Sequence, residues 1–337
     1  TGCSMAIEDT HNRPLLDPRI SVTDRCNMRC RYCMPREHFD RNHRYLPKDD
    51  ILSFEEIVCV VKALIPQGLR KVRLTGGEPL LRRDLHELIH QIRSCSPELD
   101  IAITTNGLLL KKHLNQLHQA GLSRVTVSLD SLDEKIFQSM GDTKAHPSIV
   151  IDAIDAAQNI GLPVKINTVV KKGVNDHHVV SMVEAFGPRN IPVRFIEFMD
   201  VGTANDWNLE NVVSADMMRS SLERHFGPLR PHQPIHKSDV ANVYTTKEGW
   251  SIGFIESITN PFCGDCTRAR LSANGSIYTC LFSNKGQDVK GILRMGGTPG
   301  DISQAIQSIW MNRTDRYSER RTEQTKRVKV EMSYIGG

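Results

Sequence analysis

The sequence predicts an α/β protein in which helices pack against a parallel sheet. Two observations support this prediction. Short runs rich in β-branched residues recur six times within about 200 residues, as expected of buried parallel strands. Stretches with apolar residues at helical spacing lie between these runs. Six such strand–helix units fit either a doubly wound sheet or an incomplete barrel.

Strands and helices alternate along this part of the chain. The strands are predicted at residues 19–23, 71–75, 100–105, 124–129, 164–170 and 193–199, and the helices at 53–65, 84–93, 111–120, 149–160 and 176–186. Ser53 and Glu56 form a capping-box pattern that begins the first helix. Gly121 and Gly161 are stop signals for the third and fourth helices, and Gly187 precedes a proline after the fifth.

The pattern changes after about residue 235. Residues 243–258 predict a β-hairpin that turns at residues 247–249. We therefore expect two domains, one over residues 11–235 and a smaller α+β extension over residues 236–337.

Composition excludes several functional classes. The chain has 337 residues, a net charge of +4 and 39% hydrophobic residues, with no apolar run as long as a membrane span. The charge is too small and too dispersed to predict a nucleic-acid partner. Nine cysteines are too few for a secreted disulfide framework, and neither a secretory nor a transit segment is visible. We expect reduced thiols and a cytoplasmic location.

Cys26, Cys30 and Cys33 are the most informative residues of the chain. Three thiolates within eight residues favour a four-iron cluster in which the fourth iron stays open to a ligand. Two alternatives remain. The last two cysteines alone would make a redox-active C-x-x-C pair. A structural zinc ion would need a fourth ligand, such as His38 or His43.

Polar residues follow several of the predicted strands directly. The second strand precedes Gly76-Gly77-Glu78-Pro79, a turn in which paired glycines allow close backbone approach to a ligand. Since the carboxyl ends of parallel strands meet at one side of a sheet, we expect these residues to surround one opening. The strand-end residues are Gly77, Thr104, Thr105, Asn106, Ser128, Asp130 and Met199.

Basic residues occur inside three of the apolar strands. Arg19, Arg73 and Lys165 would be costly to bury unless they are paired with a negative charge. A long cationic side chain can instead extend from a strand end into solvent, so each residue alone is ambiguous. Three of them on different strands favour an anionic ligand inside the opening.

A second set of three cysteines lies in the C-terminal part. Cys263, Cys266 and Cys280 could bind another iron–sulfur cluster, or zinc with His232 or His236 as the fourth ligand. Arg268 and Arg270 alternate behind them and share a face on an extended segment. The chain ends in Gly336-Gly337, which is either a frayed tail or a peptide slim enough to enter a narrow site.

Together these motifs resemble the GTP 3′,8-cyclase family of molybdenum cofactor biosynthesis, in the radical S-adenosylmethionine (SAM) superfamily. The resemblance rests on both cysteine sets, the run from Arg73 to Pro79, Arg268-x-Arg270 and the terminal glycines, and it covers residues 13–337. It implies an incomplete (β/α)6 barrel of the TIM type whose open side is closed by the C-terminal extension. It also implies conversion of GTP to (8S)-3′,8-cyclo-7,8-dihydroguanosine 5′-triphosphate through a 5′-deoxyadenosyl radical.

The resemblance further implies cofactors and the roles of individual residues. The cofactors are SAM and two 4Fe–4S clusters, one on Cys26, Cys30 and Cys33 and one on Cys263, Cys266 and Cys280. The SAM contacts are Tyr32, Gly77, Ser128 and Met199, and the GTP contacts are Arg19, Arg73, Thr104, Lys165, Thr267, Arg268 and Arg270. The first cysteine set, Arg268, Arg270, Gly336 and Gly337 are the expected catalytic residues.

The expected partners follow from the same resemblance. They are GTP, a reductant such as flavodoxin or ferredoxin, and cyclic pyranopterin monophosphate synthase as the next enzyme. A homodimer is compatible with the resemblance, whereas neither nucleic acid nor a membrane is expected. One alternative is another two-cluster radical SAM enzyme, such as a peptide-modifying maturase, although three cysteines in the extension are few for that class. A zinc-bound scaffold is the alternative that is not an enzyme.

Overall fold

One mixed sheet of twelve strands organises the protein. The computed structural model describes residues 6–233, 239–321 and 329–336. The order across the sheet is β12-β11-β10-β1-β2-β3-β4-β5-β6-β9-β8-β7. The strands are β1 (Arg19–Ser21), β2 (Lys71–Thr75), β3 (Asp100–Thr105), β4 (Arg124–Ser128), β5 (Val164–Val170), β6 (Val193–Glu197), β7 (Arg230–Pro231), β8 (Asn242–Thr245), β9 (Ser251–Ile255), β10 (Arg270–Leu271), β11 (Ser276–Tyr278) and β12 (Gln287–Asp288).

The first six strands are parallel and lie side by side in chain order. A doubly wound sheet would reverse its order at a switch point, so that alternative is wrong. Strand β9 pairs parallel with β6, and β10 pairs parallel with β1. The C-terminal part therefore extends both edges of the central sheet. The predicted hairpin is confirmed as the antiparallel pair of β8 and β9.

Three of the predicted strands end earlier than expected, β4 by one residue and β1 and β6 by two. Strand β6 stops at Glu197 because the next two carbonyl groups, of Phe198 and Met199, accept hydrogen bonds from the side chains of Trp207 and Asn205. Strand β1 stops at Ser21, after which the chain turns towards the first cysteine set.

Ten α-helices accompany the sheet in the part of the chain that the structure describes. They are α1 (Phe54–Leu64), α2 (Leu85–Cys95), α3 (Leu110–Gln119), α4 (Glu134–Gly141), α5 (Pro147–Asn159), α6 (Val179–Phe186), α7 (Ala215–Phe226), α8 (Lys290–Arg294), α9 (Pro299–Met311) and α10 (Met332–Ile335). The five predicted helices are present, but α6 begins later because residues 176–178 form a separate 3-10 turn. The sequence analysis missed α4 and α7, and it did not locate α8, α9 and α10 within the predicted α+β extension. No helix of the described chain is long and apolar enough to cross a bilayer.

The capping box predicted at the start of α1 is confirmed. The Ser53 hydroxyl accepts a hydrogen bond from the Glu56 amide at 3.1 Å, and the Glu56 carboxylate accepts one from the Ser53 amide at 2.7 Å. These bonds satisfy two amides that the helix itself leaves without acceptors. They fix the entry of α1, whose apolar face includes the buried residues Ile57, Val61 and Leu64.

We expect Ser53→Ala to lower the free energy of unfolding by about 1 kcal/mol, because one helix cap is lost. Urea denaturation followed by circular dichroism measures this change. Ser94→Ala is the matched control, since the Ser94 hydroxyl only donates to the His90 carbonyl inside α2 and is exposed. Equal midpoints for the two variants would contradict the role of the cap.

Candidate active site

A cavity of about 1000 Å³ lies on one face of the sheet. Every strand of the central sheet contributes a side chain to its wall. The strand residues are Arg19 of β1, Arg73 of β2, Thr104 of β3, Ser128 of β4, Lys165 of β5, Arg194 of β6 and Arg270 of β10. Tyr32, Met199, Cys263, Cys266, Thr267, Arg268 and Cys280 also line the cavity. Thirteen of the predicted site residues therefore surround one space.

Three arginines stand side by side at one end of the cavity. The strand register places Arg19 directly opposite both Arg73 and Arg270, so the three side chains share a face. Burial and the neighbouring Arg268 lower the pKa of Arg270 to about 10, and burial with adjacent arginines lowers the pKa of Arg19. The Nε atoms of Arg19 and Arg73 are buried without an acceptor among the described residues.

Asp17 provides a carboxylate within this group of arginines. Burial would raise its pKa, but Arg73, Lys71 and Arg19 outweigh that effect and hold the pKa below the usual range. One carboxylate shared by several guanidinium groups leaves positive charge in excess at this end. The geometry therefore fits a ligand with several negative charges.

The other strands contribute a second set of polar groups, some of which the sequence analysis missed. Burial and nearby cations lower the pKa of Lys165 to about 8 and that of Arg194 to about 10. Asn167 lies in register between Ser128 and Arg194. Both missed residues had a signal in the sequence. Arg194 interrupts an apolar strand as Lys165 does, and Asn167 is two residues beyond Lys165 on the same face.

The first cysteine set lies on the loop after β1. Cys26, Cys30 and Cys33 are free and half-buried. The amides of Cys33 and Met34 both donate to the Cys30 carbonyl, which curls the loop into a turn. Burial and then the two neighbouring thiols raise the pKa of Cys30, and burial raises that of Cys26 to about 11. Thiolates this close together require a bound cation, which is what an iron–sulfur cluster supplies.

The glycine turn after β2 contacts this loop. The Gly77 amide donates to the Thr23 carbonyl at 2.8 Å, and the Glu78 amide donates to the Arg25 carbonyl at 2.8 Å. A Cβ atom on Gly77 would lie 2.3 Å from the Arg25 carbonyl oxygen, so only glycine permits this approach. Gly77 and the first cysteine set are thus neighbours, although neither is among the described residues that line the cavity.

Glu78 anchors the same turn from behind. Its buried carboxylate accepts hydrogen bonds from the Thr105 hydroxyl at 2.7 Å and the Asn106 amide at 2.8 Å. Burial raises the pKa of Glu78 to about 7. The Asn106 side chain in turn donates to Asn27 at 2.7 Å, next to Cys26. These contacts join the end of β3 to the first cysteine set.

Tyr32 connects the cysteine loop to the ends of β4 and β5. Its hydroxyl donates to the Asp130 carboxylate at 2.7 Å, and the other oxygen of Asp130 accepts from the Val169 amide at 2.9 Å. Burial raises the pKa of Asp130 to about 6. Tyr32 is thereby held at the cavity wall beside Ser128.

The second cysteine set lies in the wall of the same cavity, near Arg268 and Arg270. Burial would raise the pKa of Cys266, but Arg268 and Arg313 outweigh it and lower that pKa to about 6. Burial raises the pKa of Cys280 to about 12, and the thiols of Cys266 and Cys263 add to the shift. The three cysteines are close enough to interact with one another. Arg268 and Arg313 are close enough to Cys266 to stabilise its thiolate form.

Among the described residues, no three His, Cys, Asp or Glu side chains converge where a single ion would bind. Two of the histidines named in the zinc alternatives have other partners. His43 packs between the rings of Phe39 and Tyr45, and His232 hydrogen-bonds Thr245. His236 lies outside the described residues.

The C-terminal tail ends at the arginine row. The Gly336 carbonyl accepts a hydrogen bond from the Arg270 guanidinium. Gly336 has φ of 79°, and a Cβ atom there would lie 2.1 Å from the Thr75 hydroxyl at the end of β2. Glycine is therefore required by both conformation and space. Gly337 lies outside the described residues.

Comparison with known proteins gives the family. The Radical SAM superfamily model matches residues 20–186, and the Molybdenum Cofactor Synthesis C model matches residues 191–319. GTP 3′,8-cyclase of Staphylococcus epidermidis is 45% identical over 98% of this chain and 99% of its own. That of Staphylococcus saprophyticus is 47% identical over the same shares. The chain belongs to the GTP 3′,8-cyclase family. Membership of the radical SAM superfamily implies SAM and an iron–sulfur cluster.

Solved structures support the fold. SuiB of Streptococcus suis bound to S-adenosylmethionine superposes with a TM-score of 0.64 at 16% identity, over 88% of this chain and 69% of that one. Methylornithine synthase (PylB) superposes with a TM-score of 0.50 at 19% identity, over 64% of this chain and 63% of its own. At these identities the comparison shows a shared radical SAM fold and nothing about substrate.

We expect Gly77→Ala to lower the iron bound per chain after anaerobic reconstitution, because the added methyl group would displace the Arg25 carbonyl and the loop that bears Cys26. Iron and sulfide assays measure the effect. Gly300→Ala is the control, since its Cβ atom would come no closer than 3.4 Å to a neighbour. Wild-type iron content in Gly77→Ala would show that the close contact is dispensable.

Proposed function

We propose that this chain converts GTP to (8S)-3′,8-cyclo-7,8-dihydroguanosine 5′-triphosphate, the first step of molybdenum cofactor biosynthesis. The observation that best supports the proposal is that one cavity is lined by both the arginine row, in which the Nε atoms of Arg19 and Arg73 lack acceptors, and the second cysteine set. In the proposed complex an anionic nucleotide binds there, with its phosphates on the arginines and its base against the cysteine set. Relatives named GTP 3′,8-cyclase match over nearly the whole chain, whereas SuiB of Streptococcus suis is similar in fold at only 16% identity.

The proposed architecture is an incomplete (β/α)6 barrel over residues 11–235, closed on its open side by the extension over residues 236–337. Two observations support it. The six parallel strands lie in chain order, and side chains from all of them reach one cavity, which a flat sheet would not allow. The extension supplies β9 and β10 at the two edges of that sheet.

We propose two 4Fe–4S clusters, one on each cysteine set. When bound, the first cluster and SAM supply the reducing electron and the carbon radical that starts the reaction. Cys26, Cys30 and Cys33 would hold that cluster, and the second would be held by Cys263, Cys266 and Cys280. Tyr32, Gly77, Ser128 and Met199 are the proposed SAM contacts. The hydrogen bond from Tyr32 to Asp130 keeps the tyrosine ring in place at the cavity wall.

The proposed role of the arginine row is to bind the triphosphate. Arg19, Arg73 and Arg270 already lie side by side, so binding requires little reorganisation of their side chains. Arg268 lies 4.9 Å over the Phe262 ring, which orients its guanidinium group. Lys165 adds a charge from β5, and the Thr104 and Thr267 hydroxyls are further proposed contacts. The purine would then lie against the second cysteine set.

The proposed role of the tail is to order the phosphate end of the cavity. Arg270 donates to the Gly336 carbonyl, so the tail and one phosphate-binding arginine are positioned together. Gly337 is proposed to act with it. Further proposals come from the family. The reductant is flavodoxin or ferredoxin, and the next enzyme is cyclic pyranopterin monophosphate synthase. A homodimer and a cytoplasmic location are also proposed.

Anaerobic incubation of the reconstituted protein with GTP, SAM and a reductant tests the function. We expect 5′-deoxyadenosine and a 3′,8-cyclised nucleotide in similar amounts. The control replaces GTP with ATP and should give no cyclised product. Formation of 5′-deoxyadenosine without any cyclised nucleotide would overturn the proposed substrate.

The second cluster predicts a total of about eight irons per chain, two clusters of four. Replacing Cys263, Cys266 and Cys280 together with Ala should halve the iron content and the brown absorbance. Cys59→Ala is the control, because Cys59 lies on α1 away from both cysteine sets. Stoichiometric zinc in place of iron would contradict both cluster assignments.

Phosphate binding predicts a weaker complex when Arg268 is replaced. Arg268→Ala removes one charge-assisted contact, worth roughly 1.5–3 kcal/mol, so GTP affinity should fall about ten-fold or more. SAM affinity should be unchanged, and calorimetry measures both. Unchanged GTP affinity would remove Arg268 from the site.

The lowered pKa of Lys165 predicts that GTP binding depends on pH. Lys165 carries its charge below about pH 8 and loses it as the pH rises through that value. Since a triphosphate favours the charged form, GTP affinity should fall between pH 7 and pH 9, at most by about ten-fold. Lys165→Arg stays charged over this range and should flatten the profile. The same profile in both proteins would contradict the assignment.

A further inference from the structure

A buried ionic cluster lies behind the second cysteine set. We call Asp9, Arg13 and Arg313 the Asp9 cluster. The Asp9 carboxylate accepts hydrogen bonds from Arg13 Nε at 2.7 Å and from an Arg313 guanidinium nitrogen at 3.2 Å. The side chain of Asp9 is fully buried, and those of the two arginines are at most 3% exposed. Arg313 Nε also lies 3.8 Å from the Asp315 carboxylate, which is partly exposed, so Asp9 is the fully buried carboxylate between the two guanidinium groups.

Other donors of the two arginines bind backbone carbonyls of the cysteine loop. Arg13 donates to the Cys263 carbonyl at 2.7 Å and, beyond the loop, to the Asp315 carbonyl at 2.8 Å. Arg313 donates to the Cys266 carbonyl at 2.8 Å. Both cysteines of the C-x2-C pair are therefore held through their backbone by one ion cluster, and their carbonyl dipoles face its guanidinium groups.

The cluster is anchored to the rest of the protein at several points. The Trp310 indole donates to the Arg13 carbonyl at 2.9 Å, and the Arg313 guanidinium lies 4.4 Å over the Trp310 ring. The Thr10 hydroxyl donates to the Arg313 carbonyl at 2.7 Å. These contacts join the N-terminal segment to the end of α9. The side chains of Arg13 and Arg313 thus have little conformational freedom. They are therefore suited to fixing the position of the cysteine loop.

We propose that Arg13 and Arg313, joined by Asp9, are positioning residues for the second iron–sulfur cluster. They fix the turn that presents Cys263 and Cys266, and they place positive charge next to the thiolates. Charge and hydrogen bonding around the ligands set both the affinity for a cluster and its reduction potential. This inference rests on the proposed function, because it requires a cluster on Cys263, Cys266 and Cys280.

The experiment uses the anaerobically reconstituted full chain and the variants Arg13→Gln, Arg313→Gln and Arg313→Lys. Loss of iron to a chelator is timed, and the midpoint potential of the second cluster is measured by redox titration with electron paramagnetic resonance. We expect the two Gln variants to lose the iron of the second cluster about ten-fold faster than wild type, with a more negative potential. The first cluster should keep its wild-type signal and its response to SAM.

Two further variants separate positioning from general stability. Arg313→Lys keeps the positive charge but lacks the branched guanidinium group that donates several hydrogen bonds. The potential of the second cluster should therefore stay near that of wild type, while the cluster loses its iron faster. Arg93→Gln is the control, because Arg93 is a half-buried arginine that likewise donates to backbone carbonyls, those of Leu99 and Gly121, away from both cysteine sets. It should change neither the iron loss nor the potential.

The outcomes distinguish this inference from the proposed function. A wild-type protein with only one cluster would overturn the two-cluster proposal, and this inference with it. A wild-type protein with two clusters, together with Gln variants that match it in iron loss and potential, would overturn this inference alone. Should the Gln variants fail to fold, Arg313→Lys decides, since wild-type iron loss in that variant would also overturn the inference.

Discussion

Buried positive charge is the constraint on which the rest of this structure depends. Arg19, Arg73 and Arg270 lie side by side on three neighbouring strands, and Asp17 balances only part of their charge. A buried cation without a partner costs free energy that the folded chain must offset elsewhere. The broad hydrophobic core beneath the helices supplies that stability. An anionic ligand removes this electrostatic cost when it binds. The buried positive charge therefore contributes to the affinity for that ligand.

The glycine turn after β2 connects the sheet that bears these arginines to the first cysteine set. Gly77 brings β2 within hydrogen-bond distance of the loop, and Glu78 ties the same turn to β3. The loop has no strand or helix of its own to fix it. Its position is therefore set by backbone contacts to the sheet, and any side chain at Gly77 would push it away. The strands thus determine where a loop without regular secondary structure places its thiols.

Local patterns in the sequence predicted the features that depend on neighbouring residues. The β-branched runs, the Ser53 cap and the two cysteine spacings are all of this kind, and the six central strands followed from them. Not all of the thirteen cavity residues did, because Tyr32 and Thr267 were expected there only from the resemblance to the family. Contacts between residues far apart in the sequence could not be predicted in this way. The pairing of β10 with β1 joins segments about 250 residues apart, and no periodicity records it. Asp9 and Arg313 are likewise 304 residues apart, so their contact appears only in the structure.

Both ends of the chain converge on the second cysteine set and its strand. Arg13 holds the Cys263 carbonyl, and Arg270 holds the Gly336 carbonyl. Pairing β1 with β2 closes a loop of about 50 residues, whereas pairing β1 with β10 closes one about five times longer, at a higher entropic cost. The central parallel strands can therefore assemble from local pairings, while the wall that bears Cys263, Cys266 and Cys280 requires both termini. The second cysteine set is consequently the part of the site that depends most on an intact chain.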